Sequence, residues 1–146
     1  MKAQYEAAAV GDQPIDRAIA QIEPVPRVSI QAFCESPDIA AVVSAAMSDR
    51  RMAKAHVKQN MGGAPAAVEA YKSAPTPNVI VIEAPANRDA LLGQLEELAE
   101  YCDAGTKVVV LGKLNDIVLY RQLIARGVSE YLVAPFGVVD FIHAMS

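Results

Sequence analysis

Glu83 is the side chain in this sequence best placed to do chemistry. It closes the run Pro77-Asn78-Val79-Ile80-Val81-Ile82-Glu83, in which consecutive β-branched residues lead into a carboxylate. A run that is apolar on both pleat faces suits a strand covered by helices on either side, as in a parallel α/β sheet. Open sheets of that kind place their sites outside the carboxyl ends of the strands. The same edge then collects Cys34 and Glu35, Gly112 and Ala134 from the ends of the other strands.

Other chemistry finds little support. Gly112-Lys113 ends like a phosphate loop, but Leu114 stands where Ser or Thr is required and Lys107 where the first glycine should be. Gly62-Gly63 lacks the partner glycine of a dinucleotide turn, so both glycine sites read as turns. His56 and His143 fall on different elements with no Cys or Asp cluster around them, which leaves no metal site to expect. Cys34 and Cys102 have no metal-like spacing and read as reduced, packed thiols. No nucleophile–histidine arrangement has sequence support, and no cofactor is expected.

The bulk properties agree. The chain has 146 residues, is 53% hydrophobic and 21% charged, and carries a formal net charge of −4 without tryptophan. It is long enough for one domain with a real core, and it lacks the basic footprint of a nucleic-acid binder. No stretch reaches the roughly 18 apolar residues of a membrane helix, and Met1 to Glu6 lack the apolar core of a signal peptide. A cytoplasmic location follows as the expectation.

The elements that must position these residues can be laid out in order. Residues 1–26 read as a flexible tail broken by Gly11, Pro14, Pro24 and Pro26, with a short helix where Ile15, Ile19 and Ile22 share a face. The domain then spans 27–146. Arg27 to Phe33 reads as the first strand, although Ser29 and Gln31 sit awkwardly on a covered face. Ser36 is a natural N-cap with Pro37 behind it, and Ile39, Val42, Val43, Ala46 and Met47 form a core-facing stripe.

Met52 to Lys58 reads as a weak edge strand, and Pro65 to Lys72 as a helix with Val68 and Tyr71 inward. After the Glu83 strand, Asn87 caps a helix with Leu91, Leu95, Leu98 and Cys102 on one face, stopping at Gly105. Lys107 to Leu111 is a buried strand, and Asn115 caps a helix to Arg126 closed by Gly127. Glu130 to Val133 is the last strand, and a short helix runs from Val138. The alternation predicts a flavodoxin-like, doubly wound, five-stranded parallel sheet of order 2-1-3-4-5.

The run Arg126-Gly127-Val128-Ser129-Glu130-Tyr131-Leu132-Val133-Ala134-Pro135-Phe136 resembles the end of a response-regulator receiver domain. Pro77 to Glu83 resembles the receiver segment that ends in the phospho-accepting aspartate. The resemblance implies a CheY-like fold, a switch aromatic at Tyr131 and a cis bond before Pro135. It also implies that the chemistry is gone. Cys34 and Glu35 replace the acidic pair that holds Mg²⁺, Glu83 replaces the acceptor, Gly112 the hydroxyl residue and Ala134 the lysine. A glutamate carries its carboxylate about 1.5 Å further out than an aspartate, and in-line transfer tolerates little misplacement. Glu83 is then either a fixed charge mimicking an activated state or a solvated strand end. The solvated reading is the expectation, with Glu83→Gln changing stability by no more than about 0.5 kcal/mol.

Further segments are similar to one family of atypical receivers. Pro26 to Glu35, His56-Val57-Lys58, Met61-Gly62-Gly63, Ala74 to Asn78 and Cys102 to Lys107 resemble the N-terminal domain of CpaE/TadZ-type pilus assembly proteins. That resemblance implies a non-catalytic localisation module of a Tad (Flp) pilus system, normally followed by a ParA/MinD-like ATPase domain that this chain lacks. It implies recruitment to a cell pole and partners among pilus-assembly or polar-localisation proteins. The alternatives are a flavodoxin-like small-molecule binder using the sheet-edge crevice and an active receiver with altered chemistry.

An interface is expected on the helix from Asp116 to Arg126. Placement at 100° steps puts Ile117, Tyr120 and Ile124 on an inward stripe with Leu123 at its shoulder, leaving Leu119 off the stripe and Val118 opposite. Receivers commonly pair through this helix, the last strand and the last helix. Val118, Leu119 and Leu123 are accordingly the expected contacts of a homodimer.

Overall fold

A computed structural model describes residues 24–146. The parallel sheet has the order expected, β2-β1-β3-β4-β5. Its strands are β1 (Ser29–Cys34), β2 (His56–Met61), β3 (Val79–Glu83), β4 (Lys107–Gly112) and β5 (Glu130–Val133). The helices are α1 (Pro37–Met47), α2 (Gly63–Tyr71), α3 (Arg88–Ala99), α4 (Ile117–Ala125) and α5 (Val138–Met145). The short helix expected around Ile15, Ile19 and Ile22 lies outside the described residues.

Every side chain of β3 is buried, as a central strand between two helical layers requires. On one face Ile30, Ala32, Val81 and Leu111 pack with Ile39 and Val43 of α1 and Phe141 and Ile142 of α5. On the other, Phe33, Ile80 and Ile82 meet α2 and Leu98. Val110 and Tyr131 meet Leu91 and Leu95 of α3 and Leu119 and Leu123 of α4. The awkward polar pair of β1 is satisfied across the sheet. Ser29 exchanges hydrogen bonds with Asn78, and Gln31 accepts one from the Tyr71 hydroxyl.

Several boundaries differ from the sequence reading, each for a local reason. Val25 is fully buried and its N–H donates to the Arg51 carbonyl, so the packed unit already includes a residue assigned to the tail. Met52 belongs to a single 3-10 turn, capped by Asp49, whose buried side chain closes the core beneath α1. The edge strand therefore starts later, at His56. Asn87 caps α3 as expected, but that helix ends at Ala99, ahead of a turn containing Gly105 with φ 90°. Asp116, not Asn115, caps α4, accepting from the N–H groups of Val118 and Leu119.

The largest difference is the roll of α4. Leu119 and Leu123 are fully buried, whereas Ile117, Val118, Tyr120 and Ile124 are exposed. The stripe expected inward, Ile117, Tyr120 and Ile124, faces solvent instead; both sides of this helix are apolar, and periodicity alone does not decide which is covered. The i, i+4 leucine pair reaches Val110 and Tyr131 and takes the core side. Leu119 and Leu123 are thus removed from the expected interface, and Val118 remains.

Candidate functional site

The carboxyl ends of β1, β3, β4 and β5 meet at one edge of the sheet, stitched in register by backbone bonds. Ala84 N–H donates to Leu111 O, and Ala134 N–H donates to Gly112 O. Cys34, Glu35, Glu83, Gly112 and Ala134 are therefore gathered as the sequence predicted. Their side chains do different things there from those expected.

Glu83 is not a solvated strand end. It is 5% exposed, and its carboxylate turns onto Glu35 and Ser36, the two residues that lead into α1. Oε1 accepts from the N–H groups of Glu35 at 2.6 Å and Ser36 at 2.9 Å, and Oε2 accepts from the Ser36 hydroxyl at 2.8 Å. The donors at a helix start lack intrahelical partners and favour negative charge, which is why a carboxylate can be buried here. Ser36 holds the N-cap position of α1 yet caps no helical N–H with its own side chain. Its hydroxyl is occupied by Glu83, so the capping charge comes from a different strand.

Glu35 is exposed and its carboxylate lies against Gly63, the first residue of α2. A Cβ built on Gly63 would stand 3.0 Å from Glu35 Cδ, and the backbone there has φ 59°. The left-handed backbone is what favours glycine there, since the exposed Glu35 side chain can swing away from a Cβ. The two acidic side chains at the sheet edge thus face two helix starts instead of converging on one cation, and no metal-ligand cluster occurs among the described residues. Cys34 is fully buried, and burial together with the Glu83 charge pushes its thiol up to about 11. A buried, protonated thiol is a poor nucleophile.

Gly112 makes room for Tyr131. A Cβ on Gly112 would fall 2.5 Å from the tyrosine oxygen and 2.7 Å from Cε1. The ring folds over the end of β4, 6% exposed, and its hydroxyl donates to the Leu114 carbonyl at 2.9 Å. Ala134 contributes no charge, and the peptide bond to Pro135 is cis, as the receiver resemblance implied.

The remaining crevice, about 360 Å³, is lined by Glu35, Ser36, Glu83, Pro85, Lys113 and Leu114 among others. Lys113 is the residue that sequence reasoning missed. It brings a cation to the crevice from the residue after Gly112, although among the described residues no ion pair joins it to Glu83. Its position directly after a strand end was the available signal. Among the described residues, no helix is long and apolar enough to cross a membrane.

Comparison with solved structures finds the same fold. The crystal structure of the pilus assembly protein CpaE from Caulobacter crescentus CB15 is 46% identical to this chain. The match has a TM-score of 0.82 and covers 84% of this chain and 94% of that one. A protein described as a CpaE2 pilus assembly protein from Sinorhizobium meliloti 1021 is 42% identical, with a TM-score of 0.77, over 80% and 96% of the two chains. The BeF3-activated DrrB receiver domain shares the fold at 16% identity and TM-score 0.60, over 79% of this chain and 91% of that one. No family model matches the chain, and no curated protein does.

Proposed function

The chain belongs to the CpaE pilus assembly family, and from that premise we propose that it is a non-catalytic, receiver-like interaction module of a pilus assembly system. The observation that carries this reading is the Glu83 carboxylate, whose two oxygens are both engaged by donors of the α1 start. A carboxylate so held is not free to attack a phosphoryl group in line. Ala134 offers no fixed cation for transferred charge, and Gly112 offers no hydroxyl.

Incubation with a small phosphodonor and Mg²⁺ should leave the intact mass unchanged. An adduct mapping to Glu83 would sink the proposal. A Glu83→Asp/Ala134→Lys variant should stay equally inert, because Gly112 and the protonated Cys34 thiol remain.

The module acts by binding, and the outer face of α4 supports self-association. Ile117 and Val118 are 61% and 55% exposed, flanked by Tyr120 and Ile124, beside the edge strand β5. An apolar stripe of that extent on a helix suits a partner surface. A homodimer through α4 and β5 would leave the sheet-edge crevice free. Pilus-assembly or polar-localisation proteins are the proposed further partners, with recruitment to the cell pole as the consequence in the cell.

Sedimentation velocity should show a dimer for the native chain and a monomer for Ile117→Glu/Val118→Glu. Both positions are solvent-facing, so the thermal midpoint should move little. A native monomer, or a dimer indifferent to the two charges, would remove this interface.

A further inference from the structure

We propose that the outer edge of β2 is a docking edge for an acidic, extended segment of a protein partner. It lies at the far side of the sheet from α4 and β5. Success or failure here is therefore separate from the self-association reading above.

The first observation is charge. In a chain of net charge −4, the amino-terminal end of the β1–β2 edge is locally basic. Val25 N–H donates to Arg51 O, and His56 N–H donates to Val28 O, each at 2.8 Å. These bonds bring Arg27 alongside the 3-10 turn that carries Arg50 and the start of the strand, with Lys54 and His56. Lys58 continues the series along β2. Arg27, Arg50, Lys54, His56 and Lys58 are all exposed. Among the described residues the carboxylate beside this turn, Asp49, is engaged, holding Arg51 at 2.9 Å. Glu35 and Asp38 sit at the opposite, carboxyl end of this layer.

The second observation is an available backbone edge. β2 pairs only with β1, from Ser29↔His56 to Cys34↔Met61, so among the described residues its outer row of peptide groups has no strand beside it. The strand is also held rigid. Gln59 accepts from the Ser44 hydroxyl at 2.7 Å and donates to the Ala40 carbonyl at 2.9 Å, tying β2 to α1. A fixed edge is a template that an extended segment can extend by main-chain hydrogen bonds.

Together the two observations select the partner. Cations along an edge oppose pairing with a second copy of the same edge, and they favour a strand that carries acidic side chains. Among the described residues the patch has no exposed aromatic side chain to sit at a lipid interface or to stack on bases. An acidic peptide segment is therefore a better fit than a membrane or a nucleic acid.

The test titrates the ¹⁵N-labelled chain with an alternating Thr–Glu decapeptide at low ionic strength. Amide shifts should concentrate on His56 to Met61, and affinity should fall at least about tenfold for Lys54→Glu/Lys58→Glu. A peptide of the same charge with proline in place of every second threonine should lose binding, since proline donates nothing to a ladder. Arg50→Ala/Lys54→Ala gives a milder second variant whose melt and affinity can be read if the charge reversal disturbs folding. Shifts centred away from β2, no binding at all, or equal binding of the proline peptide would each overturn the proposal. So would equal binding of a Thr–Lys decapeptide, or tighter binding to phosphatidylglycerol vesicles.

Discussion

Glu83→Ala should destabilise the domain by about 2–3 kcal/mol, because it strands donors that only this carboxylate reaches. The N–H groups of Glu35 and Ser36 and the Ser36 hydroxyl all point at Glu83. Removing the side chain leaves them facing a small void at the floor of the crevice that Glu83 lines, where the carboxylate itself is 5% exposed. It also removes the negative charge at the start of α1, where a charged or polar cap is ordinarily worth about 1 kcal/mol. Glu83→Gln keeps one carbonyl oxygen for the backbone donors and an amide that can donate to Ser36. The loss should then be smaller, about 1 kcal/mol. Urea or thermal unfolding of the native chain and both variants checks the ranking. If both variants stay within about 0.5 kcal/mol of the native chain, the buried capping role is wrong and the solvated reading returns.

The contrast shows what the sequence could and could not say about this edge. That Glu83 ends a central strand was legible from Val79 to Ile82, because an unbroken β-branched run has few other uses. The sheet order followed from alternation and handedness, and the receiver-like end motif located the cis bond before Pro135. The direction of the Glu83 side chain was not legible. It depends on Ser36 lying across the gap between β1 and β3, a contact between residues 47 positions apart. The roll of α4 failed for a different reason. Ile117, Tyr120 and Ile124 form as regular a stripe as Leu119 and Leu123, and only the neighbouring Val110 and Tyr131 decide which one is covered. A helix apolar on both sides gives pattern reading no means of choosing. The same ambiguity is the physical basis for the proposed interface, since the uncovered stripe must meet solvent or a partner.

Gly112→Thr should have an effect of similar size, and it would reach that interface. No rotamer of threonine relieves the problem, because the Cβ itself would stand 2.5 Å from the tyrosine oxygen. Either β4 shifts or the ring leaves its place over the strand end. Overpacking of this kind typically costs about 1–3 kcal/mol, and the displaced ring adds lost burial and the lost bond to Leu114 O, for a total of about 2–4 kcal/mol. That bond helps hold the Lys113–Asp116 loop, from which α4 starts, and Arg88 of α3 pairs with Asp116 at the same point. Tyr131 also lines a small cleft with Ile117, Tyr120 and Val133. A ring forced outward would enter that cleft and disturb the apolar face of α4, so self-association should weaken along with stability. A double-mutant cycle separates the clash from a general loss of packing. In Gly112→Thr/Tyr131→Ala the obstructing ring is absent, so the combined loss should fall short of the sum of the single losses by at least about 1 kcal/mol. Strict additivity would mean that Gly112 and Tyr131 do not compete for the same space, and that the tyrosine ring is not what requires a glycine at the end of β4.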